Sequence, residues 1–307
     1  MTASRYFLHK LATLASCAAW LFSALSAPAH AQEMTGTLKK IKETGSMTLG
    51  YRETSGPFAF LNNNQQPVGY SMDLCAKVVD AVKAELKLPN LQVKLQPVNS
   101  SNRIALVKNG TVDLECGSTA NYIKRQEEVA FSVSTFWVTK SLIAKTASNY
   151  RSIDDLKGKS VAVTQGTDTA GLIRTINEER NLGLTIVQGK DHAESLLMVE
   201  TGRAQAFMED RILLTNLRAN ARDPGSLALL NDSFGGDPYA LMMAKDDPAF
   251  KKVVDRTLIK LMTSGEIEKF YTKWFLSPIP PNGVNLGFEM PEGLKALFKN
   301  PSDKAAH

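Results

Sequence analysis

Arg52, Arg103 and Arg125 are the side chains whose chemistry stands out, because a planar guanidinium pairs two donors with the two oxygens of a carboxylate. Each also has a plainer reading, since charged side chains are usually solvated surface. His192 follows Asp191 and could pair with it locally at a helix start, and Asp210 could cap the helix that follows it. The turn Gln165-Gly166-Thr167 opens a helix, whose free N–H groups and positive dipole end favour an anion. Cys75 and Cys116 could form a disulfide or stay as two buried thiols. His192 and His307 lie far apart, so neither histidine nor cysteine spacing suggests a metal site. No GxSxG, HExxH, phosphate loop or paired CxxC occurs, and no cofactor is expected.

The elements that must position these residues alternate between strand and helix. A strand at 47–51 leads through a turn-rich stretch at 53–69 to a helix at 72–86, where Leu74, Val78, Val79, Val82 and Leu86 recur at helical spacing. A strand at 93–97, a helix at 103–108 ended by Asn109-Gly110, and a strand at 112–116 follow. A second series runs through strands at 142–144, 160–164, 184–187 and 204–208. Its helices start at Ser152, with Asp155 at N3, and run from 167 to 180, 192–201 and 211–221. A strand at 239–244 precedes helices at 248–263 and 266–275, and Pro278, Pro280 and Pro281 stop the last of these before a surface tail with a short helix at 292–298.

Such alternation implies an α/β protein with mainly parallel sheets flanked by helices, and the number of units suggests two sheets. The natural cuts fall near 136–140 and 236–239. Residues 32–138 with 239–307 would form one lobe, and 139–238 a second lobe inserted into it. Two crossings make a hinge, and a ligand is expected in the cleft beyond the carboxyl ends of the strands.

The N-terminus reads as a secretion signal: Arg5 and Lys10, an apolar stretch from 11 to 27, and a cleavage signal at Ala29-His30-Ala31. Leu14-Ala15-Ser16-Cys17 resembles a lipoprotein box, but the apolar run before Cys17 is too short. Cleavage after Ala31 takes two basic residues from 36 Lys and Arg against 31 Asp and Glu, leaving a mild excess that gives nucleic-acid binding little support. No later segment is apolar enough to span a membrane.

The stretch Gly117-Ser-Thr-Ala-Asn-Tyr-Ile-Lys-Arg125, with Glu127-Glu-Val-Ala-Phe-Ser132, resembles the signature of amino-acid-binding proteins of bacterial ABC importers, solute-binding protein family 3. Gln165-Gly166-Thr167, Gly202-Arg203-Ala204, Phe207-Met-Glu-Asp210 and Trp274-Phe275 continue the likeness. Tyr51-Arg52-Glu53, the run from Pro97 to Arg103, Glu115 to Thr119, Lys190-Asp191-His192 and Pro278-Ile-Pro-Pro281 are similar to the glutamate/aspartate-binding branch.

The resemblance implies the periplasmic-binding-protein type II fold, a monomer that closes on its ligand in the periplasm, and an inner-membrane ABC permease as partner. It also carries roles onto single positions. Arg125 and Ser118 would hold the ligand α-carboxylate, with Thr167 at its helix start, and Asp210 would accept the α-ammonium. Ser100 and His192 would donate to a distal group. Arg52 and Arg103, if both face the cleft, bring more positive charge than one α-carboxylate needs, which favours L-glutamate or L-aspartate over a cationic ligand. Ala120 stands where relatives usually carry a hydroxyl, and Asp168 where they often carry Thr; an acid there would repel an anionic ligand unless it faced solvent or capped its own helix.

The main alternative is a periplasmic enzyme on the same scaffold, of the cyclohexadienyl or arogenate dehydratase kind, since fold alone does not decide function. It would need a general acid in the cleft, for which Glu53 or Asp168 could be named. A sensory protein using the bound state as a signal would share every ligand residue.

Overall fold

The computed structural model describes residues 35–306. The expected secretion signal and Cys17 lie outside the described residues. The first sheet runs in the order Gln92–Pro97, Ser46–Tyr51, Leu114–Glu115, Met242–Ala244 and Val129–Phe131. Its first three strands are parallel, with Ser46 opposite Gln92 and Tyr51 opposite Pro97, and Met242–Ala244 is antiparallel to both neighbours. The second sheet runs Thr185–Gly189, Ser160–Thr164, Ala206–Asp210, Phe136–Lys145 and Leu227–Leu229, with Phe234–Tyr239 also paired to Phe136–Lys145. Parallel strands again form one half, and the long strand Phe136–Lys145 is antiparallel to all three partners. Each lobe is thus a mixed sheet, because the antiparallel strands belong to the passages between lobes or flank them.

Helices cover these sheets through the apolar stripes their sequences carry. Tyr70–Leu86 buries Leu74, Val78, Val79, Val82 and Leu86. Pro248–Thr263 starts at a proline, with Asp247 accepting from the Phe250 N–H at 3.2 Å. The Cys75–Cys116 disulfide is formed, which settles the two readings of these cysteines, and it ties that first helix to the chain two residues before Ser118.

The chain enters the second sheet along Phe136–Lys145 and leaves it along Phe234–Tyr239. Both passages are anchored in one aromatic cluster. Phe58 lies 4.9 Å from Phe136 and 5.1 Å from Tyr239 between ring centroids, and Phe136 stacks 4.9 Å from Phe275. Edge-to-face and stacked pairs of this kind add about 0.5–1.5 kcal/mol each beyond burial, so the passages are held at their lobe-1 ends. Phe58 and Phe60 have core roles, Phe60 against Trp274 at 5.8 Å. The C-terminal tail runs beside the same region: Ser302 O accepts from Ser134 N at 2.8 Å, and Ala306 bridges to Tyr122. Among the described residues no helix is long and apolar enough to cross a membrane.

Candidate functional site

Of the eight candidate residues, Arg52, Ser100, Ser118, Thr167 and Asp210 stand at the carboxyl ends of strands or in the loops that follow them, while Arg103, Arg125 and His192 lie on the helices Arg103–Lys108, Ile123–Gln126 and His192–Glu200. Arg52 follows Ser46–Tyr51, and Ser118 follows Leu114–Glu115. Ser100 sits in a turn locked by its neighbours: Asn99 Oδ1 accepts from Ser101 N and Asn102 N at 2.9 and 3.0 Å, and Asn102 Oδ1 accepts from Asn99 N at 2.8 Å. Arg103 then starts a helix. Across the cleft, Thr167 follows Ser160–Thr164, His192 starts the helix after Thr185–Gly189, and Asp210 ends Ala206–Asp210.

The lobes meet at this face. A Cβ on Gly166 would lie 2.6 Å from the Ser100 carbonyl, and its φ of +79° already favours glycine. A side chain at Gly117 would strike Glu115 Oε1 at 2.1 Å and Arg52 Cγ at 2.9 Å. Both glycines therefore permit close approach, one between lobes and one within the site.

Arg52, Ser100, Arg103 and His192 form one connected group. Arg52 Nη2 donates to Ser100 Oγ at 2.8 Å and lies 3.3 Å from His192 Nε2, and Arg103 Nη1 donates to the same hydroxyl at 3.3 Å. His192 Nδ1 is 3.0 Å from Thr164 Oγ1 and 3.2 Å from Glu209 Oε2. The two guanidiniums and the imidazole are 2, 2 and 1% exposed, so their unmet valences matter. Arg52 Nη1, Arg103 Nε and Ser118 Oγ are buried without a hydrogen-bond partner, as are the acceptors Glu115 Oε1, Glu209 Oε2 and Asp210 Oδ1.

Burial, then the nearby Arg125 and Arg52, push Arg103 down to about 9, with Glu115 and Asp168 opposing. An arginine stays protonated in a protein, so this reports the cost of holding its charge without a close anion. Glu115 and Glu209 reduce the positive excess expected from sequence, yet among the described residues no carboxylate forms an ion pair with Arg52 or Arg103.

A second group lies alongside. Lys140 Nζ contacts Asp237, stands 2.9 Å from Asp168 Oδ2 and 3.1 Å from Tyr122 OH, and is 3.8 Å from Asp210 Oδ1. Burial works against its charge, but Asp210 and Asp168 outweigh it and raise its pKa. Tyr122 donates to Asp168 Oδ2 at 2.8 Å, and Tyr239 donates to Asp210 Oδ2. Burial raises the Asp210 pKa well above its ordinary value, with Glu209 and Asp168 adding to it and Lys140 opposing. A cavity of about 590 Å³ is lined here by Tyr122, Arg125, Lys140, Thr167, Asp168 and Asp237.

Arg125 and Thr167 are therefore in the cleft but engaged. Arg125 Nη1 donates to Ala120 O at 2.8 Å, and Nη2 is 3.6 Å from Asp168 Oδ1. The Thr167 hydroxyl donates to Thr164 O at 2.7 Å. Asp168 follows neither expected course: it begins the helix Thr169–Glu179 without capping it, and its carboxylate turns to Arg125, Tyr122 and Lys140. Burial opposes its ionisation, yet Lys140 and Arg125 hold its pKa below the usual range. Asp210 likewise makes no cap to the following helix.

Glu115, Glu209, Lys140, Tyr122 and Tyr239 are site residues that the sequence reading missed. A signal was present for three of them, since Glu115, Glu209 and Lys140 sit inside otherwise apolar strand runs where a charge must find a partner. Among the described residues no group of three or more His, Cys, Asp and Glu could hold a metal ion.

Two lobes closing on a buried polar cleft define a solute receptor. Residues 47–277 match the bacterial extracellular solute-binding proteins, family 3. The chain is 50% identical to the L-glutamate/L-aspartate-binding protein of Pseudomonas aeruginosa, over 92% of this chain and 94% of that one. It is 45% identical to the glutamate/aspartate import solute-binding protein of Escherichia coli, over 88% and 89%. The solved solute receptor for L-cysteine of Neisseria gonorrhoeae shares the fold with a TM-score of 0.69 at 21% identity, covering 78% of this chain and 94% of that one. The chain belongs to family 3 of the bacterial extracellular solute-binding proteins.

Proposed function

We propose that this protein captures L-glutamate or L-aspartate between its lobes and delivers it to the permease of an ABC importer in the inner membrane. The observation that carries the reading is the separation of unmet groups in the cleft. Arg52 Nη1, Arg103 Nε and Ser118 Oγ want an acceptor, and Asp210 Oδ1 wants a donor. Each such buried group costs about 1–3 kcal/mol while unpaired. A ligand with an ammonium and two carboxylates offsets all of them. The names of the two bacterial relatives point to the same ligands.

In this reading Asp210 takes the ammonium, and Ser118, Arg125 and Thr167 take the α-carboxylate, Arg125 giving up its 3.6 Å contact with Asp168. Arg52, Ser100, Arg103 and His192 form the distal-carboxylate end. The ligand favours the closed form because only there do both lobes touch it. The lobes comprise 32–138 with 239–307, and 139–238. The mature protein starts after Ala31, works in the periplasm and is a monomer. Catalysis has less support: Asp168, one of the two candidate acids, is held ionised by Lys140 and Arg125, which suits a proton donor poorly.

Calorimetric titration of the mature, ligand-stripped protein with glutamate, aspartate, glutamine, histidine and arginine tests the reading. Tight binding of the two acidic amino acids alone is expected. Tight binding of glutamine or a basic amino acid would overturn the distal-carboxylate assignment, and binding of none would overturn the function.

A further inference from the structure

We infer that residues 302–306 are a strap that positions one end of the binding cleft: they hold the loop carrying Tyr122 and Arg125 against the exit passage between the lobes, with Asn121 as the junction. The inference rests on the proposed function only for what Arg125 meets; the strapping of the loop stands apart from it.

The loop has little of its own to hold its shape. It joins the strand Leu114–Glu115 to the strand Val129–Phe131. The helix within it, Ile123–Gln126, has four residues, no side-chain cap and no buried residue. A single turn fixes more backbone than its few bonds offset, so such a helix persists only when its ends are tied elsewhere. On one side the exit passage ties the loop: Asn121 N donates to Pro238 O at 2.8 Å, and Ala240 N, one residue beyond the passage, donates to Thr119 O at 3.1 Å. On the other side the tail ties it. Ala306 spans Tyr122, its N–H donating to Asn121 O at 2.9 Å and its carbonyl accepting from Ile123 N at 3.1 Å. That second bond takes up a first-turn N–H that the helix itself leaves unpaired.

Asn121 is buried, and each of its polar atoms has a partner. Besides the two backbone bonds, its Nδ2 donates to Asp303 O at 2.9 Å, and its Oδ1 accepts from Gln126 Nε2 at 2.8 Å. One side chain thus joins the tail to the far end of the Arg125 helix. The tail is pinned in turn at points away from the loop. Ser302 O accepts from Ser134 N at 2.8 Å, just before the entry passage, and the Asp303 carboxylate lies 2.9 Å from Lys251 Nζ on the helix Pro248–Thr263. With its backbone held on both sides, the loop presents the Tyr122 hydroxyl to Asp168 at 2.8 Å and keeps the Arg125 guanidinium 5.2 Å from the Tyr122 ring centroid. Without the tail the loop would keep the exit passage alone. Arg125 would then have to be ordered by the ligand itself, which weakens binding.

The test compares the parent with a chain ended at Asn300 and with Ala306→Pro, which keeps the tail but lacks the N–H that meets Asn121 O. Hydrogen exchange of the ligand-free proteins, read by mass spectrometry, follows the amides of 119–126 and, as a control, those of 98–103 at the distal end. Calorimetry follows glutamate. In the shortened chain, exchange across 119–126 should rise by about tenfold or more while 98–103 stays as in the parent, and glutamate should bind about tenfold or more weakly. Ala306→Pro should act in the same direction by less. Unchanged exchange across 119–126 overturns the inference. Equal rises in both segments would make the tail a general stabiliser and overturn it too, as would faster exchange with unchanged glutamate affinity. Should the shortened chain fail to fold, Ala306→Pro decides by the same readings. Should the parent bind no acidic amino acid, the ligand reading falls, while exchange in the ligand-free proteins still judges the strap.

Discussion

Tyr239 donates its hydroxyl to one oxygen of Asp210, and the other oxygen is buried with no partner and Lys140 3.8 Å away. Asp210 is thereby fixed in direction but short of a cation. Its folded pKa lies well above the ordinary 3.8, first through burial. The sign follows: the folded state holds this proton more tightly, so the contribution to stability is complete below pH 3.8 and is lost as pH rises through the folded value. Asp210→Asn should remove that loss and make the ligand-free protein more stable at neutral pH, by about 1 kcal/mol. It should also weaken glutamate binding by about 2–5 kcal/mol, because the ammonium then lacks its anion. Thermal unfolding with and without glutamate measures both. A variant that is less stable without ligand, or binds as tightly as the parent, contradicts the account.

Arg103 supplies a second prediction. Its charge is buried without an ion-pair partner, so a carboxylate beside it is worth more than a neutral amide. Arg103→Ala should cost glutamate about 2 kcal/mol or more, and cost glutamine clearly less. Competition calorimetry with both ligands reads the difference, and equal losses would remove Arg103 from the distal end.

The fold was legible where local chemistry punctuates the chain. The helices Arg103–Lys108 and Pro248–Thr263 fall at their expected positions, because Asn109-Gly110 stops one and Asp247-Pro248 starts the other. The strand expected at 239–244 is two strands, Phe234–Tyr239 in the second sheet and Met242–Ala244 in the first. Gly235, Gly236 and Pro238 hide the first of these, since its partner is set by tertiary pairing and not by side-chain alternation. The same divide runs through the site. Arg52, Ser100, Arg103 and His192 come together from strand ends and the helix starts after them, which alternation of strand and helix foretells. The turn of Arg125 toward Asp168 could not be read, because these residues belong to different lobes and meet only when the lobes approach.

The disulfide gives a prediction about stability. Cys75 and Cys116 are 41 residues apart, so the bond closes a loop of moderate size in the unfolded chain. Replacing both with alanine should lower stability by about 2–4 kcal/mol. Because the bond anchors the chain just before Ser118, glutamate affinity should fall as well. Urea unfolding and calorimetry of the double variant test this, and unchanged stability would mean that the reduced chain is equally constrained.

Asp168 carries the last prediction. It reaches from the second lobe to Tyr122 OH at 2.8 Å and toward Arg125 at 3.6 Å, both in the first, while Lys140 on the passage between lobes holds its charge in place. These contacts exist only when the lobes are close and need no ligand. They bias the ligand-free protein toward closure, by an amount on the order of 1–2 kcal/mol for partly buried charged hydrogen bonds. Asp168→Thr removes the carboxylate and keeps a hydroxyl of similar reach. The ligand-free variant should therefore be more open, with a population shift of about 5–30-fold, seen as a larger radius of gyration in small-angle scattering. With saturating glutamate the variant and parent should scatter alike, since the ligand then supplies the contacts between lobes. Equal radii without ligand would show that Asp168 takes no part in closure, and its carboxylate would then serve only to neutralise Lys140.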